Sequence, residues 1–392
     1  MLKKSIVLWS IAALTGSGVC CAATNVAPSA LTGKVMTVLG PVDPADLGVT
    51  LPHEHIFMDF TLPLDAPQRW KLAERRFPVT PADRALWETM ISMGNRAFLI
   101  RNIWNNRDAL LLQDPVQMLA EVRAFKSAGG GTIVDVTSIG IGRDPQKLAE
   151  ISRQSGVNVV MGSGWYRAAW HPEGHAQRSV ESLTQEIVRD LTEGVDGSGI
   201  RAGIIGEVSA MDVTAGPQET AEMKGIRAAG RASRLTGAAI TVHQWMRDGM
   251  ALNRTLNIFK EERADLSRVV IGHIDAVSGR DIPRLIAILN RGVTLEFDLF
   301  GTPYYLTDPR LDHRPMADTI VALVRRGYGR QILMSHDICT KLQTQAYGGS
   351  GFDYLSTVVA PYLLKQGLSD AEVRQIMVDT PRQLLTLVAP RQ

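Results

Sequence analysis

The residues with the greatest chemical capacity are histidines and carboxylates set at the ends of short apolar runs. Leu51-Pro52-His53-Glu54-His55 places two imidazoles two residues apart. In a strand, positions i and i+2 share a face, so His53 and His55 point one way and Glu54 the other. Two converging imidazoles suit a borderline divalent cation such as zinc. Alone, a His-x-His pair is more often an incidental surface or core feature. Its weight comes from company: Glu207 after Ile204-Ile205-Gly206, His243 after Ile240-Thr241-Val242, His273 after Val270-Ile271-Gly272, and His336-Asp337 after Ile332-Leu333-Met334-Ser335.

These residues need elements that bring them together. Apolar runs alternate with longer segments of helical periodicity. The spacing predicts strands over Gly48–His55, Gly131–Thr137, Asn158–Gly162, Gly203–Val208, Ala239–His243, Arg268–His273, Gly292–Phe297 and Gln331–His336. Continuous apolar runs such as Ile133-Val134 and Val269-Val270-Ile271 imply burial on both faces, as parallel strands covered by helices require. Pro217–Thr236 and Asp281–Arg291 have the length and polarity of crossover helices. Eight such units predict a closed α/β barrel, a (β/α)8 TIM barrel, over residues 35–392. The stretch 59–114, rich in Trp, Arg and Asn, reads as a helical insertion over the barrel mouth. In this architecture the C-terminal strand ends line one shared mouth. Five strands then deliver His, Glu or Asp to one place, and a metal site explains that better than five independent packing histidines. Gly129-Gly130-Gly131 precedes a strand and reads as a helix-ending turn rather than a phosphate loop.

The N-terminus reads differently. Lys3 and Lys4 precede the apolar run Ile6–Leu14, and small residues lead to Cys21-Ala22-Ala23. That pattern is a secretory signal peptide over residues 1–23, followed by a polar linker over 24–34. Val19 before Cys20 departs from a lipobox, and the paired Lys points to general export, so the expected location is periplasmic or secreted. Without Lys3 and Lys4 the chain carries 40 basic and 40 acidic residues. This balance gives no footprint for nucleic acid or, after signal cleavage, for a membrane surface. Cys339 is then the single cysteine, so no internal disulfide is expected.

Leu51-Pro52-His53-Glu54-His55, Thr132–Thr137, Gly162-Ser163-Gly164-Trp165-Tyr166 with His171-Pro172, Gly206-Glu207, Thr241-Val242-His243, Ile271–Asp275 and Ser335-His336-Asp337 together resemble the phosphotriesterase family of the amidohydrolase superfamily. The likeness runs in order from about residue 35 to about residue 388. It implies a barrel with two divalent metal ions, zinc first, with manganese, cobalt or iron as alternatives. By position it implies that His53, His55 and Asp337 hold the more buried metal and His243 and His273 the more exposed one. Glu207 stands where phosphotriesterases proper carry a bridging carboxylated lysine, and its carboxylate suits the same bridge. The implied chemistry is attack by a bridging hydroxide on an ester, lactone or amide carbonyl, with Asp337 as proton acceptor and Glu207 as bridge. A small-molecule substrate is implied, and a homodimer is compatible with the family.

One departure bears on substrate. Phosphotriesterases proper carry a His after the Asp near the end of strand seven, whereas this chain reads Glu296-Phe297-Asp298-Leu299. Phosphotriester or phosphodiester hydrolysis therefore stands second, and a non-catalytic periplasmic metal- or ligand-binding protein third. Trp165, Tyr166 and Trp245 follow strand ends and are candidates for an apolar substrate wall, with core packing the competing account for each. His171 and His175 read as solvated loop residues, His336 as an outer-layer or packing residue, Cys339 as a small loop residue and Lys341 as a surface charge.

Overall fold

The structure is a computed structural model that describes residues 31–213, 219–245, 249–277, 281–303 and 312–391. The expected signal segment 1–23 and most of the linker lie outside the described residues.

Eight strands form one parallel sheet whose neighbours follow chain order: β1 (Val49–Glu54), β2 (Gly130–Asp135), β3 (Asn158–Ser163), β4 (Ile204–Ser209), β5 (Ile240–His243), β6 (Val269–Ile271), β7 (Thr294–Phe297) and β8 (Ile332–Met334). The seam between β8 and β1 closes just beyond the strand ends. There the Asp337 N–H donates to His53 O at 3.2 Å, and the His53 N–H donates to Ser335 Oγ at 3.1 Å. Pro52 offers no N–H to a ladder, and the β1–β2 register slips beside it, between Leu51 and Glu54. The barrel expected from the apolar runs is the barrel observed. Four of its strands, β1, β2, β6 and β8, stop one or two residues short of the expected ends, so His273, His336 and Asp337 stand on freed backbone at the rim.

The outer helices start and stop where capping chemistry dictates. Asp114 accepts from Val116 N and Gln117 N ahead of helix Pro115–Ser127, and Asp144 accepts from Lys147 N ahead of Pro145–Ser155. Helix Ala221–Thr236 is capped by Thr220, and Ile282–Leu289 by Asp281. Gly129, with φ of 90°, follows the first of these helices and turns the chain into β2. A hairpin of Val35–Thr37 and Gly40–Val42 packs beneath the barrel, with the Val38 N–H bonded to Val159 O.

Between β1 and β2 the chain leaves the barrel through Met58–Asp59 and returns through Leu111–Leu112, which pair antiparallel. Inside this clasp lie the short helices Pro67–Leu72, Pro81–Glu88 and Arg96–Ile100. The excursion is tied to the far rim: Arg96 donates to Tyr347 O and Gly348 O, and Lys341 forms an ion pair with Asp108. Lys341 is thus a tether at the rim rather than the surface charge expected of it. No described helix is long and apolar enough to cross a membrane.

Candidate metal centre

The alternation expected of β1 holds. His53 Nε2 and His55 Nε2 reach Glu207 at 3.4 and 3.6 Å, while Glu54 turns away to the loop after β8. Glu207 is delivered by β4 after Gly206, whose φ is 136°; a Cβ there would lie 2.5 Å from Thr241 O, so only glycine fits. The Glu207 carboxylate divides its two oxygens. Oε1 faces His55, while Oε2 lies 3.0 Å from His243 Nδ1 and 3.8 Å from His273 Nε2. Asp337 Oδ1 lies 3.2 Å from His55 Nε2. His243 Nδ1 and His273 Nε2 approach to 2.7 Å, so the two rings aim nitrogen at one point. All six side chains singled out in the sequence therefore meet at one rim.

The donor set fits divalent cations. His53, His55 and Asp337 form one group with ligand atoms close enough to share an ion, and His53, Glu207 and His273 form another. His53 Nε2 is buried and has no hydrogen-bond partner, although it faces Glu207. A buried nitrogen without a partner carries a desolvation cost that a bound cation removes. Two of these residues, His273 with φ of 56° and Asp337 with φ of 50°, hold left-handed backbone that non-glycine residues rarely adopt. Such strain persists where surrounding contacts enforce it, and it clusters at functional sites.

Those contacts come from residues that the sequence did not single out. Asp298 accepts from the His273 N–H at 3.1 Å and from its ring Nδ1 at 2.9 Å. Glu296 Oε2 lies 2.9 Å from His53 Nδ1, and Thr137 Oγ1 lies 2.9 Å from His55 Nδ1. Each ring thus has one nitrogen fixed from behind, which sets its tautomer and leaves the other to face the cluster. A period-two count could have found Glu296 and Asp298, since Glu296 on β7 and Asp298 just past its end stand two residues apart. Glu54 is the fourth such residue. It is fully buried and accepts from Ser335 Oγ, His336 N, His336 Nδ1 and Ile338 N. His336 sits in this outer layer, its Nε2 accepting from the Leu355 N–H.

The electrostatics follow from burial and neighbours. Burial pushes the Glu207 carboxyl up, but His243, His273 and His53 outweigh it and hold the group well below the usual carboxylate range. For Asp298 burial is likewise outweighed by His273 and His53, and the carboxyl falls to about 2. His243, desolvated and close to His273, is lowered to about 4, so it is neutral near pH 7 and can offer a lone pair.

A cavity of about 370 Å³ opens onto this cluster, bounded by His55, Glu207, His243, His273 and Asp337 on one side and by the 59–114 insertion on the other. Tyr166 lines it, its hydroxyl 3.2 Å from His243 Nε2, and Trp245 lines it while stacking on His273. Trp165 does not. The extended chain sends it to the side opposite Tyr166, where it packs against His175 and beneath Arg178. The loop after β3 folds back over the rim, so His171 and His175 are buried with rings 4.0 Å apart, not solvated as expected. Cys339 is buried and borders the cavity, its N–H bonded to Gln343 Oε1.

The model of the phosphotriesterase family matches residues 33–385. The chain belongs to the phosphotriesterase family. An N-acetyltaurine hydrolase of Tetraodon nigroviridis is 34% identical over 365 residues, covering 91% of this chain and 99% of its own. Among solved structures, a resiniferatoxin-binding protein from Rhodobacter sphaeroides is 35% identical with a TM-score of 0.81, covering 92% of this chain and 98% of its own. A phosphotriesterase homology protein from Escherichia coli, complexed with phosphate in its active site, is 26% identical with a TM-score of 0.69, covering 87% and 99%. This is a phosphotriesterase-family hydrolase on a TIM barrel, with candidate His/Glu/Asp metal sites at its mouth.

Proposed function

We propose that the protein is a metal-dependent hydrolase of small carbonyl compounds, with an amide as its foremost substrate. One observation carries this: the ends of five strands bring His53, His55, His243 and His273 around the two oxygens of Glu207, with Asp337 beside His55 and His53 Nε2 buried without a hydrogen bond. His53, His55 and Asp337 would hold one divalent cation, His243 and His273 the other, and Glu207 would bridge them. Such a pair, zinc first, supplies a water of lowered pKa and a Lewis acid for the carbonyl oxygen.

The chain's own residues do the rest. Asp337 Oδ1 borders the cavity beside His55 and accepts the proton of the attacking water, then returns it to the departing amine or alcohol. Asp298, Glu296 and Thr137 keep the three imidazoles behind them in fixed tautomers. Tyr166 steadies His243 and, with Trp245, gives the substrate an apolar contact. The relatives named N-acetyltaurine hydrolases support the amide over the ester and lactone. Leu299, which borders the cavity where a relay histidine would stand, disfavours the triester.

The test is turnover of an N-acetyl amide, a lactone, a phenyl ester and a diethyl aryl phosphate by protein with and without chelator. Chelator-sensitive carbonyl hydrolysis is expected, and Asp337→Asn should lower kcat by about 100-fold or more with a smaller change in KM. Metal-loaded protein that binds these compounds and turns over none would reject catalysis in favour of a binding role. Preference for the phosphate would move the assignment to phosphoester chemistry.

A further inference from the structure

Beyond the candidate ligands, the rest of the cavity lining has a charge of its own. Apart from Glu207 and Asp337, its charged lining is Arg75, Arg101 and Arg167 against Glu74 alone. Glu74 lies 3.7 Å from Arg167, with its side chain 56% exposed. Arg75 is immobilised: it donates to Phe60 O at 2.8 Å, and its guanidinium lies over Phe60, Trp104 and Trp170. It acts as a fixed positive charge in the wall. Arg167 is held loosely, with carbonyl contacts to Ala73 O and Leu72 O at 3.4 and 3.3 Å. Its Nε is buried with no hydrogen-bond partner. Arg101 stands exposed at the rim beside Asn102 and Asn105, which also line the cavity.

We propose that Arg167 and Arg101, backed by the fixed charge of Arg75, form an oxyanion-recognising wall that selects substrates bearing a carboxylate, sulfonate or phosphate on the half remote from the scissile carbonyl. The proposal rests on the hydrolytic assignment of this cavity and adds the residues that set its specificity. A guanidinium presents a planar fork of N–H donors that matches two oxygens of one oxyanion, and such charge-assisted pairs are stronger than neutral hydrogen bonds. The buried Arg167 Nε, which has no hydrogen-bond partner, is a donor that an acceptor oxygen of the ligand would satisfy. The three oxyanions share this chemistry, and the assay separates them.

The experiment compares N-acetyl amides of 3-aminopropanoate, 2-aminoethanesulfonate and 2-aminoethyl phosphate with the neutral 2-methoxyethyl amide, using phenyl acetate as an independent readout of the hydrolytic site. Wild-type protein is expected to favour at least one anionic amide by about 10- to 100-fold in kcat/KM, mostly through KM. Arg167→Gln and Arg101→Gln should each cut that preference by about 10-fold, and Arg167→Lys should restore part of it. Equal use of anionic and neutral amides by the wild type, or an unchanged ratio in both Gln variants, overturns the wall. Should Arg167→Gln fail to fold by circular dichroism, Arg101→Gln carries the test, because its side chain is exposed. Failure of the hydrolytic assignment looks different: no amide and no ester is turned over. Calorimetric titration of the same amides then decides, with anion-selective binding lost in the Gln variants upholding the wall and absent selectivity overturning it.

Discussion

Replacing Glu54 by Gln tests how far the cluster depends on a residue that touches none of its open space. Glu54 Oε1 accepts from Ser335 Oγ at 2.8 Å, His336 N at 2.9 Å and His336 Nδ1 at 2.7 Å, while Oε2 accepts from Ile338 N at 2.9 Å. All four groups donate: His336 Nε2 is itself an acceptor for the Leu355 N–H, so the proton lies on Nδ1. A Gln amide keeps one acceptor oxygen and brings an NH2 group. In its better orientation it keeps the three bonds at Oε1 and sets two donors against each other at Ile338. Losing one charge-assisted bond and stranding a buried N–H costs about 3 kcal/mol. A folded unit of roughly 340 described residues unfolds with an entropy of about 0.7 kcal/mol/K, so Tm should fall by about 4 °C. Because His336 and Ile338 flank Asp337, the same change loosens the carboxylate beside His55, and metal affinity should fall by about 10- to 100-fold. Calorimetry reads the first quantity and chelator competition with elemental analysis the second. Wild-type Tm together with wild-type metal affinity in Glu54→Gln would refute the view that this carboxylate holds the rim.

Glu207→Ala should retain at most one metal per chain by elemental analysis, and two retained metals would reject the bridge. Burial lowers His171 to about 4 and, aided by its cationic neighbours, His175 to about 3, from an ordinary 6.5. Both are therefore neutral when folded, and the unfolded chain takes up protons first as pH falls. Their stabilisation is complete above pH 6.5 and drains away between there and about pH 4 for His171, on the order of 3 kcal/mol, and down to about pH 3 for His175. The double variant His171→Gln/His175→Gln should show a flatter denaturation midpoint across that window, and an equal slope would exclude these rings as the cause. Expressed in an exporting bacterial host, the full chain should lose about residues 1–23, which intact mass of the periplasmic fraction checks.

The sequence carries the barrel plainly because strands buried on both faces read as unbroken apolar runs, and all eight runs correspond to strands. The cluster is legible for a related reason: strand ends share one rim, so His243, His273 and Glu207 need no long-range guess once the strands are set. What lies past a strand end is harder. Tyr166 and Trp165 differ by one residue, and the turn of the chain after β3 puts one in the cavity and the other against His175. The same loop buries His171 and His175, although its local composition is polar. Glu54 is legible only as facing away from His53 and His55, because its four donors lie more than 280 residues away in the chain. A carboxylate that faces away from a cluster carries no local mark of its role.

The clasp of Met58–Asp59 on Leu111–Leu112 brings both ends of the long excursion to neighbouring points on the rim. The chain therefore enters and leaves this segment at one narrow neck, with side-chain ties such as Arg96 to Tyr347 O and Lys341 to Asp108 joining its far side to the rim, and the loop-closure term changes slowly with what hangs beyond the neck. Exposed residues within it, Arg101 among them, can be exchanged while the eight strands and the ligand cluster keep their register. The selectivity of the mouth and the chemistry of the floor can thus diverge on separate schedules.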